Sequence, residues 1–175
     1  MVNYRRARVE GACYFLTLAL HDRSRDWLVR YSGELRESMR QTIRERPFRL
    51  PAAVVLPEHL HLLMALPDGD ADFSSRVRRI KSLFVARLKC VGVPLMFNGK
   101  GEADVWQRRF WEHLIRDESD FAAHVDYIHA NPLKYALVER VQDWPLSSFH
   151  RYVQHGVLPI DWGGCGGSPV DLAGE

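Results

Sequence analysis

The stretch Val54-Val55-Leu56-Pro57-Glu58-His59-Leu60-His61-Leu62-Leu63-Met64-Ala65-Leu66, closed by Pro67-Asp68-Gly69, decides the fold. It contains two short apolar runs, roughly Arg49 to Leu56 and Leu60 to Leu66, parted by Pro57-Glu58 and followed by turn residues, a spacing that predicts an antiparallel pair of strands. Upstream, Ala12 to Leu20 mixes aromatic and aliphatic residues with Thr17 and reads as a buried strand, followed by a polar turn over His21 to Asp26. Gly33 to Arg46 reads as a helix, with Leu35, Met39 and Ile43 at helical spacing and Pro47 ending it. Downstream, Phe73, Val77, Ile80, Phe84 and Leu88 recur at three and four, marking an amphipathic helix from Phe73 to Cys90 with Arg76, Arg79, Arg87 and Lys89 on its other faces. Val91 to Asp104 is rich in glycine and proline and is expected to be a loop. After the aromatic stretch around Trp106 and Trp111, Asp117 can cap a helix running through Asp120 to Ile128 and stopped by Pro132. Strand, helix, two strands, helix and a later edge element fit an α+β fold, a ferredoxin-like antiparallel sheet with helices packed on one face. A fold of that kind hosts many activities and decides none.

Bulk composition narrows the classes. A chain of 175 residues, 46% hydrophobic and 11% aromatic, can bury one core and favours one domain. We expect that domain over 1–162, with a basic arm at 1–10, a loop at 91–104 and a flexible Gly-rich tail at 163–175. Polar groups interrupt every apolar run before it reaches membrane-spanning length, so no membrane partner is expected. The N-terminus lacks the apolar stretch and cleavage site of a secretory signal, and the expectation is a cytoplasmic protein. Cys13, Cys90 and Cys165 form no C-x-x-C pair and read as inert thiols. With a net charge of only +2, any affinity for nucleic acid must come from local clustering.

Side chains on a strand alternate between faces, so His59 and His61 project to the same side, roughly 7 Å apart along the strand. Two imidazoles so placed can share one divalent ion; equally, an isolated H-x-H can be two polar residues on a solvated face. A helix turning about 100° per residue gathers Asp120, His124, Tyr127 and Asn131 into a stripe about 60° wide, while Phe121, Val125 and Ile128 form a neighbouring apolar face. The Tyr127 phenol could be presented to a metal-bound phosphate, or its ring could pad the edge of the core. Phosphodiester cleavage needs a nucleophile, charge neutralisation on the phosphate and in-line geometry. A cation held by His59, His61 and a third ligand, Asn131 in this reading, meets the second need, and Tyr127 the first.

Segments across nearly the whole chain then match one family. Val54 to His61, Phe73-Ser74-Ser75-Arg76 with Ile80-Lys81, Trp106-Gln107-Arg108-Arg109-Phe110-Trp111-Glu112-His113, Tyr127-Ile128-His129-Ala130-Asn131-Pro132, and Asp143-Trp144-Pro145 with Ser147-Ser148-Phe149 occur in its order. The chain resembles the single-tyrosine, HUH-type transposases, and specifically the REP-associated tyrosine transposases. The resemblance implies a ferredoxin-like catalytic domain that binds Mg²⁺ or Mn²⁺ and cleaves and rejoins single-stranded DNA beside REP-like palindromic hairpins, through a 5′-phosphotyrosine. Carried over by position, it makes His59 and His61 the metal ligands, Tyr127 the nucleophile and Asn131 the third ligand. Such an enzyme would be nucleoid-associated and a monomer or homodimer.

Candidate DNA contacts follow from charge and stacking. Tyr4, Arg5, Arg6 and Arg8 form a basic, aromatic arm suited to phosphates and bases, or else a solvated terminus. Arg76, Arg79 and Lys81 form a second basic concentration, and Arg108 with Arg109, between Trp106 and Trp111, a third. Two rival readings stay open. One is a non-catalytic protein that binds DNA hairpins, and the other is a metal hydrolase in which Tyr127 acts only as an acid.

Overall fold

The computed structural model describes residues 8 to 163. Tyr4, Arg5, Arg6, Cys165 and all of the expected tail but Gly163 lie outside the described residues. Strand β1 (Cys13–Ala19) is followed by a short helix α1 (Trp27–Arg30), helix α2 (Ser32–Glu45), strand β2 (Ala53–Val55) and strand β3 (His59–Ala65). Helix α3 (Phe73–Cys90), strand β4 (Trp111–Leu114), helix α4 (Glu118–Lys134), a 3₁₀ turn at Val141–Asp143 and helix α5 (Phe149–Gln154) complete the order. The four strands form one antiparallel sheet in the order β2-β3-β1-β4, the ferredoxin-like arrangement. The loop expected after α3 is present, and the edge element is β4.

Strand parity builds two cores. Tyr14, Leu16 and Leu18 of β1 and Leu60, Leu62 and Met64 of β3 point to one face, where Leu35 of α2 and Phe73, Val77, Ile80 and Phe84 of α3 cover them. Phe15, Val54 and Leu63 point to the other face and meet Val125, Tyr127 and Ile128 of α4. Helices α2 and α3 therefore share one face as expected, and α4 crosses the opposite one, where Tyr152 of α5 also packs. The register sets Thr17 of β1 across from both His61 and Trp111, and Ala19 across from His59. His59 and His61 thus lie on the α4 face, in the two central strands' shared surface.

Three expectations are corrected. The first strand of the hairpin is Ala53–Val55 rather than Arg49 to Leu56. Pro51 has no N–H for the ladder, so Arg49 makes only an isolated bridge with Ala65. Helix α4 does not stop at Pro132 but runs on to Lys134. Proline gives up its own backward hydrogen bond and its ring crowds the carbonyl four residues before it, yet the residues after it keep theirs, the Tyr135 N–H donating to the Asn131 carbonyl at 3.1 Å, and the helix ends where Ala136 takes φ 52°. There the Leu137 N–H donates to the Pro132 carbonyl at 3.0 Å and the Ala136 N–H to that of Leu133 at 2.9 Å, a left-handed terminus usually given to glycine. Arg76 does not face outward: it is buried, with its guanidinium donating to Asp70 at 2.7 Å and to the carbonyls of Arg46, Pro47 and Asp72. It ties the start of α3 to the end of α2. The expected cap at Asp117 is present, its carboxylate accepting from the Asp120 N–H at 2.8 Å.

A candidate metal and tyrosine centre

His59 and His61 stand on adjacent same-face positions of β3 with ring centroids 4.8 Å apart. Both are buried, and each has its Nδ1 engaged: that of His61 lies 2.8 Å from the Thr17 hydroxyl, that of His59 2.9 Å from the Glu58 carboxylate. Partners on Nδ1 fix ring orientation and leave Nε2 as the nitrogen each can offer to a metal. Arg23 steadies Glu58 in turn at 3.2 Å. Burial pushes the Glu58 carboxyl up, but the His59 ring, its own backbone N–H and Arg23 together hold it below the usual carboxylate range. Burial first, then the charges of His59, Lys134 and Arg23, keeps His61 well below the ordinary histidine value. It therefore stays in the neutral form that a ligand requires.

Helix α4 brings Tyr127 to this pair. Its ring meets His61 edge-on at 5.3 Å and Phe15 at 5.8 Å, within one chain. Buried Val125 and Ile128, anchored on Phe15 and Leu63, fix the rotation of the helix and so aim the polar stripe at β3. Asn131, one turn on, is buried, and neither its Oδ1 nor its Nδ2 has a hydrogen-bond partner among the described residues. A buried amide left so costs about 1–3 kcal/mol, which ligation of a cation through Oδ1 would recover. The residues present thus fit a metal held by two imidazoles and one amide oxygen.

Beside this centre the helix start carries another donor set. His113 of β4, Asp120 and His124 bring ligand atoms within 4.8 Å of one another, a His/Asp cluster able to coordinate a metal ion. As it stands, the Asp120 carboxylate bridges the two rings, 2.9 Å from His113 and 3.1 Å from His124. Burial pushes Asp120 up, yet bonds from His113 and Arg116 bring it down to about 2. Phe15 separates the two sets, packing against His61 on one side and His124 on the other at 5.3 and 4.8 Å.

In front of His59 opens a cleft of about 500 Å³ lined by Tyr135, Trp111, Phe110, Arg109 and Arg23. A neighbouring groove of about 610 Å³ includes Arg78, Lys81 and Arg108. The expected basic residues therefore divide. Arg109 lines the cleft and Arg108 the groove; Lys81 donates to the Gln107 carbonyl at 2.9 Å, stacked near Trp106 and Phe110. Arg79 is held in a two-point pair by Glu45, and Arg8 is exposed. The inward-turned Arg76 reaches neither opening. Thr17, Glu58, Arg23 and Lys134 are site residues that the sequence reading missed. Lys134 alone carried a signal, since seven residues after Tyr127 it extends the same stripe.

No family model matches the chain. Over 166 residues, 94% of this chain and 94% of the relative, it is 45% identical to a Haemophilus influenzae protein assigned to the REP-associated tyrosine transposases. It is 44% identical over 164 residues to the REP-associated tyrosine transposase of Escherichia coli, covering 94% of this chain and 92% of that one. Among solved structures, a REP-associated tyrosine transposase bound to a REP hairpin superposes with a TM-score of 0.84 at 43% identity, covering 96% of this chain and 94% of its own.

Proposed function

The chain belongs to the REP-associated tyrosine transposases, and on that premise we propose that it cuts and rejoins single-stranded DNA beside REP-like hairpins with Tyr127 as nucleophile. It is a metal-dependent, single-tyrosine HUH transposase. The observation that carries the assignment of roles is the Tyr127 ring lying against His61 at 5.3 Å in the same chain.

His59 and His61 through Nε2 and Asn131 through Oδ1 would hold Mg²⁺ or Mn²⁺, which when bound would supply Lewis-acid neutralisation of the scissile phosphate. Thr17 and Glu58 lock the two rings in the tautomers that keep Nε2 available. The Tyr127 oxygen attacks phosphorus, the bond to the 3′ oxygen breaks, and a 5′-phosphotyrosine remains with a free 3′ hydroxyl. Retaining the bond to the protein allows rejoining, which outright hydrolysis would forfeit. One chain supplies all four groups, so a monomer holds a complete centre. Arg23 and Arg109 at the cleft, with Arg8 and the arm residues Tyr4, Arg5 and Arg6, draw in the strand by phosphate contact and stacking. Acting on chromosomal DNA, the enzyme works in the cytoplasm at the nucleoid.

The test is incubation with a single-stranded hairpin oligonucleotide and Mn²⁺, resolved on a denaturing gel. A covalent adduct with wild type that is lost in Tyr127→Phe is expected. His59→Ala and His61→Ala should abolish cutting while hairpin affinity stays within about tenfold, because a ligand of the chemical centre contributes little to docking. Free nicked product that persists in Tyr127→Phe would make the protein a hydrolase, and binding without any cleavage a hairpin-binding module.

A further inference from the structure

Resting on the assignment of Tyr127 as nucleophile, we propose that Lys134 is a second catalytic residue, an ammonium that holds the negative charge of the tyrosine oxygen as it attacks and again as it departs. The Lys134 ammonium donates to the Tyr127 hydroxyl at 3.3 Å and lies 4.9 Å from the centre of the same ring. That is its one hydrogen bond among the described residues. It also faces the Tyr135 ring at 6.0 Å, and Tyr135 lines the cleft, so the ammonium, though exposed, lies beside that opening.

Backbone geometry explains why the contact forms. Seven residues make nearly two full helical turns, which returns Lys134 to within about 20° of Tyr127 on the helix surface. The turn between them carries Asn131 on the same stripe, so nucleophile, amide ligand and cation follow one another along α4. The contact exists only because α4 continues past Pro132, and the left-handed Ala136 then ends the helix immediately after Lys134 and Tyr135. Its charge is also felt at His61, where it is among the influences that keep that ring neutral.

The chemistry balances without any further reagent. The phenol proton passes to solvent, and the Tyr127 oxygen then forms its bond to phosphorus while the phosphorus bond to the 3′ oxygen breaks. The electron pair goes to the 3′ oxygen, which takes a proton from water. In rejoining, the same bonds exchange in the opposite sense and the tyrosine oxygen leaves with the pair. Negative charge rests on that oxygen on the way into both transition states but not in the phenol or the phosphotyrosine. An ammonium beside it therefore lowers both barriers together and leaves the balance between cut and joined DNA unchanged.

The experiment measures single-turnover adduct formation and rejoining by the full-length chain on a saturating single-stranded hairpin with Mn²⁺, for wild type, Lys134→Met and Lys134→Arg. Lys134→Met should slow both directions by the same factor, about 10- to 100-fold for a partly solvated charge, with the cut-to-joined ratio unmoved. Hairpin affinity and the Mn²⁺ midpoint should hold at wild-type values, and Lys134→Arg should recover most of the rate. Unchanged rates in Lys134→Met overturn the proposal while leaving Tyr127 as nucleophile. So does a defect confined to hairpin affinity or to the Mn²⁺ midpoint, which would make Lys134 a phosphate anchor or a support of the ligands. Wild type that forms no adduct at all would instead overturn the underlying assignment, and this one with it.

Discussion

Thr17→Val removes one hydroxyl from the face of the sheet and keeps the branched shape of the side chain. In the native protein that hydroxyl lies 2.8 Å from Nδ1 of His61, a ring wholly buried between β1 and α4. For Nε2 to serve as a ligand, Nδ1 must carry the ring proton and donate it to an acceptor, and Thr17 is the acceptor the register supplies. Without it, the ring has two courses. It can keep the proton on Nδ1 as a buried, unanswered donor, at about 1–3 kcal/mol. It can instead move the proton to Nε2, which closes the ligand position. Either course weakens the metal, and loss of such a supporting partner typically costs about 10- to 100-fold in affinity. The assay is a Mn²⁺ titration of adduct formation on a labelled hairpin. The midpoint should rise by at least about tenfold, with most of the rate recovered at saturating metal. A midpoint equal to that of wild type, in a protein that has lost stability, would refute the reasoning and reduce Thr17 to packing.

Other outcomes follow from the same geometry. Arg76→Met should lower stability by about 2 kcal/mol in urea titrations, because Asp70 and three carbonyls lose their donor, and should leave hairpin affinity unchanged. Ala136→Gly should stabilise the chain by about 1 kcal/mol, since φ 52° burdens alanine and not glycine; no gain in the same titration would place the strain elsewhere. Burial lowers His129 to about 4. The unfolded chain therefore binds its proton more readily between the ordinary histidine range and pH 4, so this contribution is complete above about pH 6.5 and is lost as pH falls through that window, on the order of 3 kcal/mol in all. His129→Gln should flatten the acid limb of stability against pH, and an unaltered limb would contradict this.

What the sequence made legible was periodic. Alternation placed His59 and His61 on one face, helical spacing gave α3 its observed limits, and the 3.6-residue turn gathered Tyr127 and Asn131 on one stripe. Patterns of that kind are local, and each needed only the direction of a side chain along its own element. What stayed hidden depended on partners. Thr17 acquires meaning from the register that sets it across from His61, a pairing 44 residues away that no local pattern contains. Arg76 falls at a place in the helical pattern where an arginine is ordinarily solvated, and it is buried because Asp70 and the carbonyls at the end of α2 receive it. Pro132 reads as a stop because proline breaks helices, yet the residues after it stay helical and the Tyr135 N–H still reaches the Asn131 carbonyl. Lys134 lies beyond that expected end, so the local pattern conceals it too.

The claim on which the rest depends is that the covalent bond to DNA forms at Tyr127 and at no other tyrosine. Trypsin cuts after Arg116 and after Lys134, so Tyr127 falls in the peptide Asp117 to Lys134, apart from the other five tyrosines, including Tyr135 at the start of the next. Mass spectrometry of a digested, nuclease-trimmed adduct should find the nucleotide phosphate on Tyr127 within that peptide. Its appearance on Tyr135, on the arm tyrosine Tyr4, or on no tyrosine would contradict the account.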